Sequence, residues 1–311
     1  MMKAIQQYDF GGPEVLTVTE IPEPAPRAGR VRVRVAATSV NPADLAARAG
    51  WLRQVLPDLA PPFILGADLA GTVVDGDGPF APGTRVAGLA PWFVDQEGTY
   101  AEVVSIDPAH LAEIPAGVDD ITAASVPITA ETAWQALDLG GLEAGRTVLV
   151  TGASGAIGGW AVQHAAGRGA KVVAVASDGD EKYVEGLGAD IVLGRSRDAG
   201  ELAAAVRKSV PGGVDVVVDP AGIGGDLIHA VRDGGVFVVI AVVPAPEPER
   251  GVDVRRVSAQ SDGALLGRIL ADVAAGTKKT RIGLTLPLTE AAEAHRRTES
   301  RSVRGKIVLT V

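Results

Sequence analysis

The sequence contains no cysteine among its 311 residues. This absence excludes disulfide bonds, thiolate nucleophiles and every metal site that is built on thiolate ligands. The four histidines offer no substitute, because no two of them are close enough in sequence to suggest paired metal ligands; they are His110, His164, His229 and His295. We therefore predict that the protein binds no metal.

Long apolar runs and an excess of positive charge are also missing. No run approaches the roughly 18–20 apolar residues that are needed to span a bilayer, and the opening residues MMKAIQQYDFGG lack the apolar core of a signal peptide. The formal net charge is −9, which gives no general attraction to nucleic acid or to anionic lipid. These features predict a cytoplasmic protein that binds neither nucleic acid nor membrane.

The residues that are present predict two globular domains. Hydrophobic residues make up 47% of the chain and charged residues 22%, and 311 residues are enough for two cores. Short segments with alternating or apolar character, bounded by Gly and Pro, predict strands in the first third of the chain. They cover residues 31–40, 68–76, 83–90 and 99–106, with a short helix at 43–50.

From about residue 122, strand and helix patterns alternate. Several of the strands are continuous β-branched runs, which is typical of strands covered on both faces in a parallel sheet. Such a series closes right-handed into a doubly wound sheet. The predicted strands are 147–152, 171–176, 190–194, 214–220, 236–241 and, more weakly, 252–257, with helices at 158–167, 181–188, 199–209 and 226–234.

The tail returns to the style of the first third, with helices at 263–276 and 289–298, an extended segment at 281–288 and a last strand at 305–311. A chain that begins and ends in one style around a central α/β unit indicates an insertion. We predict one β-rich domain from residues 1–121 and 270–311, and an inserted dinucleotide-binding domain from residues 122–269.

Residues 148–165, VLVTGASGAIGGWAVQHA, predict a phosphate-binding loop between a strand and a helix. Gly152 allows the tight turn, Gly155 lets the backbone approach a pyrophosphate, and Gly158 lets the helix pack against the sheet. The N–H groups at the start of the helix, including those of Ala156 and Ile157, then attract the phosphate charge. Ser154 lies in the same loop.

The letters of this loop fit two dehydrogenase families. The short-chain family has the loop near its N-terminus and a Tyr-x-x-x-Lys pair beyond it, but here the loop starts about halfway along the chain. Tyr183 is the only tyrosine after the loop, and Leu187 stands where the lysine is required. The short-chain alternative therefore fails.

The whole chain resembles the zinc-free quinone oxidoreductase branch of the medium-chain dehydrogenase/reductases. The matching stretches are SVNPADLAARAG (39–50), FILGADLAGTVV (63–74), PGTRVAGL (82–89), GTYAEVV (98–104), ITAETAWQAL (128–137), the loop, and AHRRTESRSVRGKIVL (294–309). This resemblance implies a Rossmann doubly wound parallel sheet inserted into a β-rich GroES-like catalytic domain. It also implies NADPH-dependent reduction of quinones, enones or enoyl thioesters, and homodimers that pair through the edge of the Rossmann sheet. Ala156 replaces a glycine that is usual in this branch.

The choice between NADPH and NADH depends on the residues after the second strand of the inserted domain. Ser177 suits a 2′-phosphate, with Lys182 or Lys171 supplying charge, whereas Asp178 is able to reach a ribose diol. The resemblance places Arg195 against the adenine, where a guanidinium stacks and meets the phosphate; a solvated surface arginine is the alternative. We predict NADPH.

The resemblance assigns further site residues. It places Asn41 and Thr129 beside the nicotinamide, Gly222 at the border of the cofactor, and Ala241 and Val242 near the carboxamide. The local alternatives are a turn-forming Asn before Pro42 and an ordinary N-cap at Thr129.

On the substrate side, tyrosines that are common in relatives are absent. Trp51 is predicted either to wall the cleft or to be a buried packing residue. Asp44 is expected to cap or brace its helix, and His164 and His295 are expected to be structural.

These features predict hydride transfer from NADPH to a quinone or an α,β-unsaturated carbonyl. Positioning of two reactants in a dry cleft between domains, with a proton taken from water, would carry catalysis without an acid–base residue. Two alternatives stay open because of the missing tyrosines. One is a pathway-specific enoyl or enone tailoring reductase, and the other is a non-catalytic NADPH-binding protein.

Overall fold

The computed structural model describes residues 1–196, 198–240 and 243–311, apart from the side chain of Asp95. The predicted cofactor residues Ala241 and Val242 lie outside the described residues. The strands are β1 (Met2–Gln7), β2 (Leu16–Ile21), β3 (Val31–Ser39), β4 (Phe63–Ile64), β5 (Asp68–Gly76), β6 (Arg85–Leu89), β7 (Val103–Ile106), β8 (Leu111–Glu113), β9 (Thr147–Val150), β10 (Lys171–Ala176), β11 (Ile191–Gly194), β12 (Val214–Asp219), β13 (Val231–Ile240), β14 (Asp253–Val257), β15 (Ile282–Pro287) and β16 (Lys306–Thr310).

The α-helices are α1 (Pro42–Arg48), α2 (Trp92–Asp95), α3 (Asp120–Ala124), α4 (Pro127–Leu139), α5 (Ala156–Gly167), α6 (Glu181–Glu185), α7 (Ala199–Ser209), α8 (Gly263–Ala274) and α9 (Ala291–Glu299). Short 3-10 helices cover Pro13–Val15, Trp51–Gln54, Pro108–His110, Gly225–Ala230 and Leu288–Glu290.

The chain divides into two compact units, one of residues 1–128 with 261–311 and one of residues 129–260. The divisions fall inside the predicted domain limits of 122 and 269 because α3 packs on β3 and β5, and α8 packs on β8. A Cβ at Gly263 would lie 2.2 Å from the Leu111 carbonyl oxygen, so this first residue of α8 lies directly against the strand. That residues 122–269 form the functional dinucleotide-binding domain stays a prediction.

The first unit is rich in strands. Its larger sheet has the order β15-β16-β3-β5-β6-β8, with β7 also paired to β3, and its smaller sheet has the order β2-β1-β4. Strand β3 has the predicted alternation, because Val31, Val33 and Val35 are buried while Arg34 is exposed. The buried valines lie in the main apolar cluster of this unit. β5 and β16 flank β3 and pair antiparallel with it.

The second unit contains a parallel sheet with the order β11-β10-β9-β12-β13-β14. Its central strands are β-branched runs that are buried on both faces, as the apolar runs predict. The strand order reverses at β9, which is the switch point at which a doubly wound sheet binds its ligand. The predicted doubly wound sheet is confirmed, including the weaker sixth strand, which is β14.

The predicted helix over residues 226–234 is wrong. A 3-10 helix ends at Ala230, and Val231 begins β13 by pairing with Val214. The Val231 carbonyl accepts hydrogen bonds from the Arg207 and Arg250 side chains, at 2.8 and 3.1 Å, instead of a helical N–H. Gly234 has a positive φ of 67°, which a continuing helix does not allow.

Candidate functional site

The loop between β9 and α5 has the geometry of a phosphate-binding turn. Gly152 follows β9 with φ +56°, and its carbonyl accepts a hydrogen bond from the Gly155 N–H at 2.9 Å. Gly155 is the N-cap of α5, is exposed, and has an extended backbone. The first N–H groups of α5, from Ala156 onward, therefore point away from the helix without intrahelical partners, as at every helix start.

Gly158 has no space for a side chain. A Cβ at this position would lie 2.2 Å from the Gly152 carbonyl oxygen and 2.9 Å from Ala153 Cα, both of which are backbone atoms. Real Cβ contacts do not reach such distances, so the first turn of α5 lies against the loop only because residue 158 is glycine. Ala156 and Ile157 are half-buried in this first turn.

Hydrogen bonds tie the loop to the neighbouring strand ends. Ser154 Oγ accepts from the Ser177 N–H at 2.9 Å, which links the loop to the end of β10. On the other side, Thr151 Oγ1 donates to the fully buried Asp219 at 2.5 Å and accepts from the Ala221 N–H at 3.1 Å. The loop is thus held between β10 and β12.

The ends of β10 and β11 bring together the residues that were predicted to select the cofactor. Ala176 pairs with Gly194 in the parallel register, so Ser177 and Arg195 are the next residues on neighbouring strands. Arg195 is exposed and Ser177 is half-buried. Lys182 is exposed on α6, which follows the same strand end.

Gly222 lies beyond the end of β12 in a left-handed conformation with φ +67°. Its N–H donates to the Asp219 carbonyl at 3.3 Å, and a Cβ would lie 3.0 Å from Val243 Cγ1. The position therefore favours glycine for conformational and packing reasons.

In the first unit, Asn41 belongs to a buried polar group that we call the Asn41 cluster; its members are Ser39, Asn41, Asp68 and Lys306. Asn41 Oδ1 accepts from Lys306 Nζ at 2.6 Å, and Asn41 Nδ2 donates to Asp68 Oδ2 at 3.0 Å. Lys306 Nζ also donates to Asp68 Oδ2 at 3.2 Å, and Ser39 Oγ donates to the same carboxylate. Asn41 is only 3% exposed.

The local role of Asn41 is that of a helix N-cap and not that of the turn-forming residue offered as the alternative. Asn41 is the N-cap of α1 with an extended backbone, and its N–H donates to Asp44 Oδ2 at 2.8 Å. Asp44 thus braces the start of its helix, as predicted, and it also accepts from the Gly66 N–H at 3.3 Å.

A directed chain of buried side chains leads from Arg48 to Asp44. Arg48 Nη1 lies 3.2 Å from His295 Nδ1, His295 Nε2 lies 3.2 Å from Tyr100 Oη, and Tyr100 Oη lies 3.3 Å from Asp44 Oδ2. Because a guanidinium only donates, His295 Nδ1 accepts and its Nε2–H donates to Tyr100, whose hydroxyl donates to Asp44. His295 is therefore a structural residue, and Arg48 is anchored further by Glu299.

Burial is the largest cause of the pKa shifts of Asp44, Tyr100 and His295 in this hydrogen-bonded series. It raises the pKa of Asp44 to about 7, although the Asn41 N–H and Lys306 oppose the shift. It raises the pKa of Tyr100 well above the ordinary value, and it lowers the pKa of His295 to about 3, with Arg48 adding to the effect. The imidazole is thus neutral at neutral pH.

The structure places the remaining predicted residues as follows. Thr129 is buried inside α4, which begins at Pro127, so the N-cap alternative for Thr129 is wrong. Trp51 is 72% exposed, which excludes a buried packing role. His164 is buried between Trp134 and Trp160, with ring centroids at 5.1 and 5.4 Å, as a packing residue.

Sequence reasoning did not single out Asp68 or Lys306. Both carry a charge within apolar strand sequences, FILGADLAG and GKIVLTV. Charged side chains are seldom buried without a partner, so such positions signal a buried ion pair even though the sequence does not identify the partner. No group of three or more His, Asp or Glu side chains that could hold a metal ion occurs within residues 1–196, 198–240 and 243–311. None of the helices in those ranges is long and apolar enough to cross a membrane.

Two family models match the chain. Residues 27–116 match the alcohol dehydrogenase GroES-like domain, and residues 187–309 match a model described as zinc-binding dehydrogenase. These matches, together with the strand-rich first unit and the parallel sheet of the second, confirm the predicted combination of a GroES-like domain and a Rossmann-type domain.

Known proteins are similar over the full chain. The quinone oxidoreductase of Rattus norvegicus is 31% identical, covering 99% of this chain and 98% of its own. The chloroplastic NADPH-dependent alkenal/one oxidoreductase of Arabidopsis thaliana is 28% identical, covering 99% of this chain and 79% of its own. A mycobacterial protein solved in complex with NADPH has a TM-score of 0.86 at 27% identity and covers 100% of both chains.

Proposed function

Because the chain belongs to the medium-chain dehydrogenase/reductase family of oxidoreductases, we propose that it is an NADPH-dependent reductase that transfers a hydride to a quinone or an α,β-unsaturated carbonyl without zinc. The observation that carries the proposal is the glycine loop at the switch point of the parallel sheet, where Gly158 leaves no room for a Cβ against Gly152.

The loop fits a dinucleotide pyrophosphate. Backbone N–H groups of the loop and of the first turn of α5 would bind the phosphate oxygens, with the helix dipole favouring their charge. The residues that would hold the pyrophosphate are Gly152, Ser154, Gly155, Ala156, Ile157 and Gly158. Gly222, Ala241 and Val242 are proposed to border the rest of the cofactor.

We propose NADPH rather than NADH because Ser177 and Arg195 follow neighbouring strands in register. A hydroxyl and a guanidinium at this edge suit a 2′-phosphate, and Lys182 adds a further positive charge. The names of the Arabidopsis relative and of the mycobacterial complex agree with this choice. Asp178 is the feature that would favour a ribose diol instead.

The absence of zinc from the proposal rests on the composition. The chain has no cysteine, so thiolate ligands of a catalytic zinc are not available. When bound, NADPH supplies the hydride at C4 of its nicotinamide. Asn41 and Thr129 would position the nicotinamide end, and Trp51 would offer its exposed ring to a planar substrate. The proton would come from water.

The test is a titration of the protein with NADPH and NADH by fluorescence, followed by steady-state NADPH oxidation with quinones, enones and enoyl thioesters. We expect tighter binding of NADPH and turnover with at least one acceptor class, unaffected by a metal chelator. Turnover that is lost with the chelator and restored by zinc would contradict the metal-free proposal. Tight binding without turnover would favour a non-catalytic NADPH-binding protein. Homodimer formation and a cytoplasmic location stay predictions.

A further inference from the structure

The Asn41 amide has a defined orientation because opposite charges lie on its two sides. Lys306 Nζ lies 2.6 Å from Asn41 Oδ1, and Asp68 Oδ2 lies 3.0 Å from Asn41 Nδ2. An ammonium only donates and a carboxylate only accepts. If the amide rotated by half a turn, its N–H groups would face the Lys306 ammonium and its oxygen would face the Asp68 carboxylate. Neither contact is a hydrogen bond, so the ion pair selects one orientation.

Both N–H groups of the Asn41 amide are engaged within the cluster. One donates to Asp68 Oδ2 at 3.0 Å, and the other donates to the Ser39 carbonyl at 3.3 Å. Lys306 is engaged in the same way, because its ammonium donates to Asn41 Oδ1, to Asp68 Oδ2 at 3.2 Å and to the Val40 carbonyl at 3.5 Å. Because both N–H groups are engaged, the only atom of this amide that a ligand can meet is Asn41 Oδ1, which accepts from Lys306 and faces the Asp44 N–H in the capping box.

We propose that Lys306 and Asp68 are positioning residues that hold Asn41 as a hydrogen-bond acceptor for the nicotinamide end of the cofactor. The proposal rests on the role of Asn41 under the proposed function, and it defines the chemistry of that role. The ligand group that meets Asn41 is a donor, either the carboxamide N–H or a ribose hydroxyl. Asn41 therefore does not donate to the oxygen of a reduced substrate.

The arrangement also explains why a buried charge pair is present at this position. A carboxylate and an ammonium that are both nearly inaccessible, with exposures of 0% and 4%, are costly to desolvate. Burial of apolar residues of similar size would be less costly for stability alone. Fixing the orientation of one amide is a role that apolar residues do not perform.

The test compares binding of NADPH with binding of 2′-phospho-ADP-ribose, which lacks the nicotinamide. The test variant is Lys306→Met combined with Asp68→Asn, because Lys306→Met alone leaves an unpaired buried carboxylate and risks misfolding. Lys306→Arg is the conservative variant, since it keeps a charge and several donors. Lys278→Met is the matched control, because Lys278 pairs with Asp272 in the same unit but outside the cluster.

We expect the double variant to bind NADPH about tenfold more weakly than the wild-type chain, with unchanged binding of 2′-phospho-ADP-ribose. Lys306→Arg should recover most of the NADPH affinity, and Lys278→Met should bind both ligands as the wild type does. In turnover assays the fold decrease in kcat of the double variant should exceed the fold increase in its KM.

Equal weakening of both ligands, or no change for either, overturns the positioning role. Failure of the proposed function has a different signature, because it is seen in the wild-type chain itself as an absence of NADPH oxidation with every acceptor. The ligand comparison does not depend on turnover, so the two failures are distinguishable.

Discussion

Lys306 and Asp68 are separated by 238 residues in the chain and form an ion pair at 3.2 Å, with the side chains 4% and 0% exposed. Strand β3 lies between the strands that carry them, β16 and β5. The pair therefore ties the last strand of the chain to the core of the first unit, and it does so around the amide of Asn41.

Removal of one member of this pair should be strongly destabilising. Lys306→Met leaves Asp68 buried without its cation, and such changes cost about 3–5 kcal/mol. We predict a loss of this size in the free energy of unfolding, measured with urea. Addition of Asp68→Asn should recover part of the loss, because no unpaired charge is left. Equal stability of the single and the double variant would contradict this coupling.

Gly158→Ala should abolish tight cofactor binding. The new Cβ would lie 2.2 Å from the Gly152 carbonyl oxygen, so the loop and the first turn of α5 must move apart. We predict NADPH binding at least about 100-fold weaker by fluorescence titration, which corresponds to about 2.7 kcal/mol.

Gly167→Ala is the control for this prediction, because a Cβ at Gly167 of the same helix meets nothing within 4 Å. It should leave binding unchanged and stabilise the protein by up to about 1 kcal/mol. Equal effects of the two substitutions would contradict the steric account of the loop.

Arg195→Ala should reduce the preference for NADPH. Arg195 follows β11 next to the end of β10, and a hydrogen bond to a charged group is worth about 1.5–3 kcal/mol. We predict NADPH binding weakened roughly tenfold or more, with NADH binding nearly unchanged. Lys208→Ala, an exposed cation at the end of α7, is the control. If NADPH and NADH weakened equally, Arg195 would not contact the 2′-phosphate.

Asp44 should make stability depend on pH. Burial raises its pKa from 3.8 to about 7, so between these values the folded chain keeps a proton that the unfolded chain has lost. Its contribution is full at pH values below about 4 and is lost as pH rises through about 7. We predict that Asp44→Asn gains stability relative to the wild type from pH 4.5 to 6.5, by up to about 1.4 kcal/mol per pH unit.

His295 provides a comparison of opposite sign. Its pKa is lowered from 6.5 to about 3, so the unfolded chain binds more protons in this window and the contribution to stability grows as pH rises. His295→Gln should therefore lose stability relative to the wild type over the same interval in urea unfolding. Changes of the same sign for both variants would contradict the assigned protonation states.

Local sequence patterns predicted much of the fold. The β-branched runs at 147–152, 171–176 and 214–220 indicate strands without help from tertiary context, and they form β9, β10 and β12. The helix predicted for residues 226–234 is not formed in full. Its sequence pattern fits a helix, but the Arg207 and Arg250 side chains donate to the Val231 carbonyl in place of a helical N–H. Side chains distant in sequence decided that case.

The candidate site likewise has one part that local sequence patterns predict and one part that they do not. The loop after β9 is contiguous in sequence, so Gly152, Gly155 and Gly158 could be predicted to bind phosphate from their spacing between a strand pattern and a helix pattern. The Asn41 cluster is assembled from β3, β5 and β16, and no local pattern connects Lys306 with Asp68. Thr129 was predicted to lie beside the nicotinamide, with an ordinary N-cap as the local alternative. Because α4 starts two residues earlier, at Pro127, the structure excludes that alternative.

The most direct test of the proposed function follows a labelled hydride. NADPH with deuterium at both C4 positions is incubated with the protein and an enone, and the product is analysed by mass spectrometry and NMR. The proposal predicts one deuterium on the β-carbon of the product, and much less product from the Gly158→Ala variant at the same NADPH concentration. A product without deuterium, or no product from any enone or quinone while NADPH binds tightly, would contradict hydride transfer by this protein.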